Sequence, residues 1–154
     1  MKAIFYILIF LLFYSCKKTD EITSKKSLEV YYMGPGISTP YDYSCEMISK
    51  QFLEDDMNYK KITDRKIVEP FMKMYDNYKV STDSVGMNIR IKVLIHSKNN
   101  TDTLCMGENF NTYKNGIKMI DNTELLNYLK KIIDYDNTVP SFVRKHPERY
   151  KTNN

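Results

Sequence analysis

Tryptophan is missing from these 154 residues, histidine occurs twice and glycine only five times. The two histidines, His96 and His146, stand apart from each other and from any pair of cysteines. Neither has the spacing that places ligands around a metal, so no metal site is expected. Two of the glycines fall in Gly34-Pro35-Gly36, which lacks the third glycine of a dinucleotide-binding turn. It also lacks the Gly-Lys-Ser/Thr ending of a phosphate-cradling loop; it reads as a turn, and no cofactor is expected. No serine sits in a Gly-x-Ser-x-Gly elbow. A net charge of +4 is too small to suggest nucleic-acid binding, which concentrates positive charge on one face. No apolar run approaches the roughly 20 residues that span a bilayer. These absences leave no assignable catalytic group.

What is present begins at the amino terminus. Lys2 precedes an uncharged apolar segment, Ala3 to Tyr14, that ends at Ser15-Cys16 and gives way at once to Lys17-Lys18-Thr19-Asp20-Glu21. The segment has the length of a signal-peptide core, and Ser15 is the small residue that precedes a cut. Phe13-Tyr14-Ser15-Cys16 resembles a bacterial lipobox, with Phe13 in place of the usual leucine and Tyr14 in place of a small residue. Boxes loosened in this way resemble those of Bacteroidota lipoproteins, and the lysines leading into acids are similar to that group's surface-export signal. The resemblance implies cleavage before Cys16, lipid on its sulfur, and residence in the outer membrane, facing the periplasm or the surface. Asp83-Ser84-Val85 and Asp102-Thr103-Leu104 resemble that group's O-glycosylation signal.

With Cys16 assigned to lipid, Cys45 and Cys105 remain. An even pair in an oxidising compartment suggests one disulfide; two buried free thiols, or a nucleophile lacking a sequence-adjacent base, are the alternatives. Four stretches divide the chain: 1–15 as signal peptide, 16–26 as a lipidated tether, 27–135 as a globular domain, and 136–154 as a polar tail.

Within the domain, alternation predicts strands over 28–33 and 87–96, with Met87, Ile89, Ile91, Val93 and Ile95 on one face. Residues 101–106 form a further strand carrying Cys105. Residues 57–63 are ambiguous, with a short strand as one option. Thr39-Pro40-Tyr41-Asp42 resembles a helix start, and Tyr41, Cys45, Ile48 and Phe52 share a helical face. A second helix follows from Asp64 along Ile67, Phe71, Met74 and Tyr78, kinked or started by Pro70. Asn115-Gly116 predicts a type I′ hairpin joining 110–114 to 117–120. Asp121 to Glu124 has capping-box spacing ahead of Leu125, Leu129 and Ile132. The expected fold is α+β: two layers, an antiparallel sheet of about four strands with about three helices, in the order β-α-α-β-β-β-α.

A tether, a disulfide and no catalytic signature point to a lipid-anchored binding module of the cell envelope. Its partners would be the membrane, through Cys16, and an envelope protein, with an inhibitor, an immunity protein or an accessory subunit as the expected role. The candidate contact loop is YYMGPGISTPYDY, where Tyr31, Tyr32, Tyr41 and Tyr43 flank small residues; tyrosine gives a large contact area at low entropic cost, and the alternative is that these tyrosines cap the edge of the core. The rival readings are a small envelope hydrolase using Glu54, Asp56 or His96, and a purely structural lipoprotein. Glu54-Asp55-Asp56 and the basic tail (Arg144, Lys145, His146, Arg149, Lys151) are otherwise read as solvated surface.

Overall fold

The computed structural model describes residues 26–37, 39–49, 57–83, 86–139 and 143–144. Its strands and helices run β1 (Ser27–Tyr32), β2 (Asn58–Ile62), α1 (Arg65–Asp76), β3 (Ile91–His96), β4 (Thr101–Met106), β5 (Tyr113–Lys114), β6 (Ile117–Lys118) and α2 (Thr123–Ile133), closed by a 3-10 turn over Tyr135–Asn137. The strands form one six-stranded sheet in the order β2-β1-β3-β4-β5-β6, every neighbouring pair antiparallel. The α+β class and the antiparallel sheet agree with the sequence reading. The strand count does not: 57–63 supplies β2, and the hairpin adds two short strands. Among the described residues there are two α-helices.

Both helices lie on one face of the sheet. Alternation turns Leu28, Val30, Tyr32, Ile91, Val93, Ile95, Leu104 and Met106 toward them. These residues meet Val68, Phe71, Met72 and Tyr75 of α1 and Leu125, Leu126, Leu129 and Ile133 of α2. Each helix thus buries an i, i+3, i+4 stripe, as an amphipathic helix must. The N-terminal turn of α1 is closed by Asp64, whose Oδ1 accepts from the Lys66 N–H at 2.9 Å. Pro70 neither starts nor ends this helix. It sits inside it on the exposed side, where water can solvate the Lys66 carbonyl that proline leaves without a donor. The cap of α2 is Asn122, not Asp121: Asn122 Oδ1 accepts from Leu125 N, while Asp121 Oδ1 takes the Thr112 N–H. Asn115 and Gly116, both at positive φ (49° and 80°), make the expected I′ turn.

Residues 39–49 are turns and bends rather than the expected helix. Thr39 does not cap; its hydroxyl donates to the Tyr41 carbonyl and accepts from Arg90. The Tyr43 carbonyl is taken by the Ile89 N–H, and Cys45 is bonded to Cys105 on β4. Those ties hold the segment flat against the sheet. Phe52 lies outside the described residues.

This segment builds a second, smaller core on the face away from the helices, from Met33, Tyr43, Ile48, Ile89 and Cys105. Ile89 and Ile91 therefore lie on opposite faces, so the expected single stripe from Met87 to Ile95 breaks at Arg90. Arg90 is buried. Its guanidinium donates to Thr39 Oγ1 at 3.1 Å and to Met33 Sδ at 3.6 Å and lies 5.9 Å from the Tyr43 ring centre, fastening the covering loop to the sheet.

Candidate functional site

The half of the far face that the loop leaves open is polar and aromatic. Register places Tyr59, Tyr31, Lys92 and Cys105 in one cross-strand row, and Lys61, Glu29, Leu94 and Thr103 in the next. His96 and Thr101 form the row after that. Period-2 alternation alone brings these side chains to one surface.

Glu29 is the hub of this surface. Its carboxylate accepts from Lys61 Nζ at 3.1 Å and from the Tyr31 hydroxyl at 3.4 Å, and His96 Nε2 stands 3.5 Å away. The Lys61 hydrogen bond, more than any other contact, holds the Glu29 carboxyl below the usual carboxylate range. Burial, and then the Glu29 charge, push the Tyr31 and Tyr59 phenols up. The two rings lie 5.1 Å apart, tilted by 45°, with Tyr59 42% exposed. An aromatic pair thus stands beside the Glu29–Lys61 ion pair. Toward the covered half, burial lowers the Lys92 ammonium pKa, and the Glu46 carboxylate partly offsets that.

His96 Nδ1 is also 3.1 Å from Thr101 Oγ1, while Nε2, buried and 3.5 Å from the Glu29 carboxylate, makes no hydrogen bond, so hydroxyl, imidazole and carboxylate are neighbours without a closed relay. A closed chain is the minimum of an activated nucleophile. Here the three groups lie on an open sheet face, and the two described cavities are elsewhere: a groove of about 960 Å³ along the exposed flank of α1, and a smaller one between Asn77 and Thr123. Among the described residues no group of three metal-ligating side chains occurs. Among them, too, no helix is long and apolar enough to cross a membrane.

The sequence-predicted tyrosines separate. Tyr32 is buried in the main core with its hydroxyl on the Ile133 carbonyl, and Tyr43 is buried in the second core. Tyr41 is 55% exposed and packs edge-on against Tyr43 at 5.3 Å. Tyr31 is half-buried beside Tyr59. Cys45 and Cys105 are joined, with Cα atoms 5.7 Å apart. Thr103 is half-buried in β4 and Leu104 fully buried; Ser84 and Val85 lie outside the described residues. So do Cys16, Glu54, Asp55, Asp56, Lys145, His146, Arg149 and Lys151. Of the basic tail, Arg144 donates to Asn58 Oδ1 at 2.9 Å.

Sequence reasoning missed Glu29, Lys61 and Tyr59. Their signal was the 59/61 alternation within NYKKI, masked because Lys60, which should face the helices, is exposed at the sheet edge and donates to the Ile132 carbonyl at the end of α2. No protein-family model, curated protein or solved structure matches this chain.

Proposed function

We propose that this protein is a lipid-anchored, non-enzymatic binding module of the cell envelope. It is held in the outer membrane through Cys16 and recognises a protein partner, as an inhibitor, an immunity protein or an accessory subunit. The observation that carries the binding role is the Tyr31–Tyr59 pair beside the Glu29–Lys61 cluster on the uncovered half of the sheet. Tyr41 adds exposed aromatic area at the loop. Tyrosines packed against each other beside an ion pair offer contact area without a large ordering cost. The disulfide fits an oxidising compartment, which supports residence outside the cytosol.

Affinity capture from envelope extracts tests this reading. Tyr59→Ala and Tyr41→Ala should each lose the recovered partner while leaving the fold intact; retention of every partner by both variants overturns it. One observation favours a second reading, a small hydrolase built on Thr101, His96 and Glu29. Hydrolysis of a chromogenic ester that is abolished by His96→Gln and by Thr101→Val would replace binding with catalysis.

A further inference from the structure

The sheet ends differently at its two edges. Beyond β6, the 79–81 segment supplies further main-chain bonds. Val80 bridges Met119, the Ser81 N–H donates to the Lys118 carbonyl at 3.0 Å, and the Ile120 N–H donates to the Lys79 carbonyl at 2.8 Å. At the other edge, β2 has one strand neighbour among the described residues, β1. Alternation buries every second residue of β1, whereas Tyr59, Lys60 and Lys61 in the middle of β2 are exposed in succession. On either side of them Asn58 and Ile62 are buried and fix the strand: Asn58 Nδ2 donates to the Tyr32 carbonyl, and Ile62 joins the main core. An edge strand of this kind presents main-chain N–H and C=O groups along its outer side.

Three side chains set what that edge accepts. Tyr59, 42% exposed, and Lys61 share the polar face, while Lys60 has the opposite parity. The Lys61 charge is matched by Glu29. Lys60 forms no ion pair among the described residues; its ammonium donates to the Ile132 carbonyl at 2.6 Å. A cation in the middle of an edge strand repels a strand that sets a cation opposite it and attracts one that sets an acid there. Pairing two copies along all five residues of β2 would oppose Lys60 to Lys60. The charge therefore works against a second copy, as edge lysines work against indiscriminate pairing.

Resting on the partner-binding reading above, we propose that the partner adds a strand to β2, through an extended segment that sets an acidic residue opposite Lys60 and an aromatic one opposite Tyr59. Main-chain bonds to β2 hold such a segment, and its alternate side chains select it. The ring opposite Tyr59 continues the Tyr31–Tyr59 row by one more strand spacing of about 4.8 Å. This accounts for the place of the aromatic pair, at the open edge of the sheet rather than at its centre: the row runs on into the partner.

Capped synthetic peptides test the inference. Thr-Tyr-Glu-Tyr-Thr has the required pattern and reads the same in both directions, so it can add parallel or antiparallel; Thr-Tyr-Lys-Tyr-Thr is its charge-reversed control. Each is titrated into the full chain while amide exchange is followed along β2. The glutamate peptide is expected to slow exchange at alternate β2 amides, those that point outward, and to bind roughly fivefold more tightly than the lysine peptide. Lys60→Glu should reverse that preference and Lys60→Gln should abolish it, each checked for an unchanged melting temperature. Exchange unchanged by either peptide, or a preference that ignores residue 60, overturns strand addition. So does β2 protection that grows with protein concentration in the absence of peptide, which assigns the edge to a second copy. Partner capture lost in Tyr59→Ala, with no β2 amide protected by the captured partner, overturns strand addition alone and leaves the binding module standing. Capture unaffected by both Tyr59→Ala and Tyr41→Ala overturns the binding-module reading, and the inference falls with it.

Discussion

Breaking the Cys45–Cys105 bond should remove a large share of the stability of this domain. The bond closes a loop across a sequence separation of 60 residues. On the chain-entropy account such a link restricts the unfolded ensemble by about 14 cal/mol/K, or about 4 kcal/mol at room temperature. Natural domains have only about 5–15 kcal/mol in total. At about 4–8 °C per kcal/mol for a domain near 100 residues, the expected drop in melting temperature is at least about 15 °C. The assay is urea unfolding of wild type and of the Cys45→Ala/Cys105→Ala double variant, followed by far-ultraviolet dichroism and tyrosine fluorescence together. The native contacts add a local signature. Without the bond, the loop over 39–49 is held by the Ile89–Tyr43 backbone hydrogen bond, the Arg90–Thr39 bond and the small second core. Amide exchange at Ile89 should therefore rise more than at Val93, in the helix-side core. A double variant less than about 1 kcal/mol weaker than wild type would refute the entropic argument. A full loss of stability with equal exchange changes at Ile89 and Val93 would refute the local one.

Gly107→Ala should destabilise the domain by about 3 kcal/mol, read as a lowered urea midpoint, because a Cβ there would meet the Phe110 carbonyl oxygen at 2.2 Å and that of Asn88 at 3.0 Å. Asn122→Ala should cost about 1 kcal/mol through loss of the α2 cap, and Asn122→Asp should restore most of it. Glu29 has a folded pKa below its usual 4.5. Its contribution to stability is therefore complete above that value and is lost as pH falls through the folded one. Glu29→Gln should flatten the acid limb of a stability–pH curve below about pH 5; a limb as steep as the wild type's would exclude Glu29 as its source.

The elements legible in the sequence were those whose local pattern and tertiary use coincide. β3 alternates because one face meets the helices, and Asn115-Gly116 turns because only such residues take two positive φ angles in succession. The stripe of α2 was nearly right, displaced from Ile132 to Ile133 as the more buried position. Where tertiary ties overrode local pattern, the reading failed. Tyr41, Cys45 and Ile48 have helical spacing, yet the disulfide and the backbone bond to Ile89 fix them in a covering loop. Ile89 keeps the parity of Ile91 in sequence and loses it in space, because the chain turns over at Arg90. β2 hid behind Lys60, a lysine on the core-facing side that an edge strand can tolerate. The candidate surface was half legible: the tyrosine-rich stretch drew attention to Tyr31 and Tyr41, while Tyr59 came from a segment whose strand was obscured.

The composition of the far sheet face makes sense only with the covering loop in place. A sheet that packs helices on one side can leave the other side wet, provided that side is polar. Here the wet side is divided. Where the disulfide-held loop lies, the sheet presents Met33, Ile89 and Cys105, all buried. Where the loop stops, it presents Glu29, Lys61, His96 and Thr101, with Tyr31 and Tyr59 at the border. Removing the loop would uncover apolar surface directly beside that border. The same bond that stabilises the fold thus keeps apolar surface from adjoining the open, charged half. On this account a reduced protein should gain non-specific adhesion as it loses stability. Dye binding to exposed apolar surface measures that directly, and a reduced form binding no more dye than the oxidised one would show that the loop does not shield the sheet.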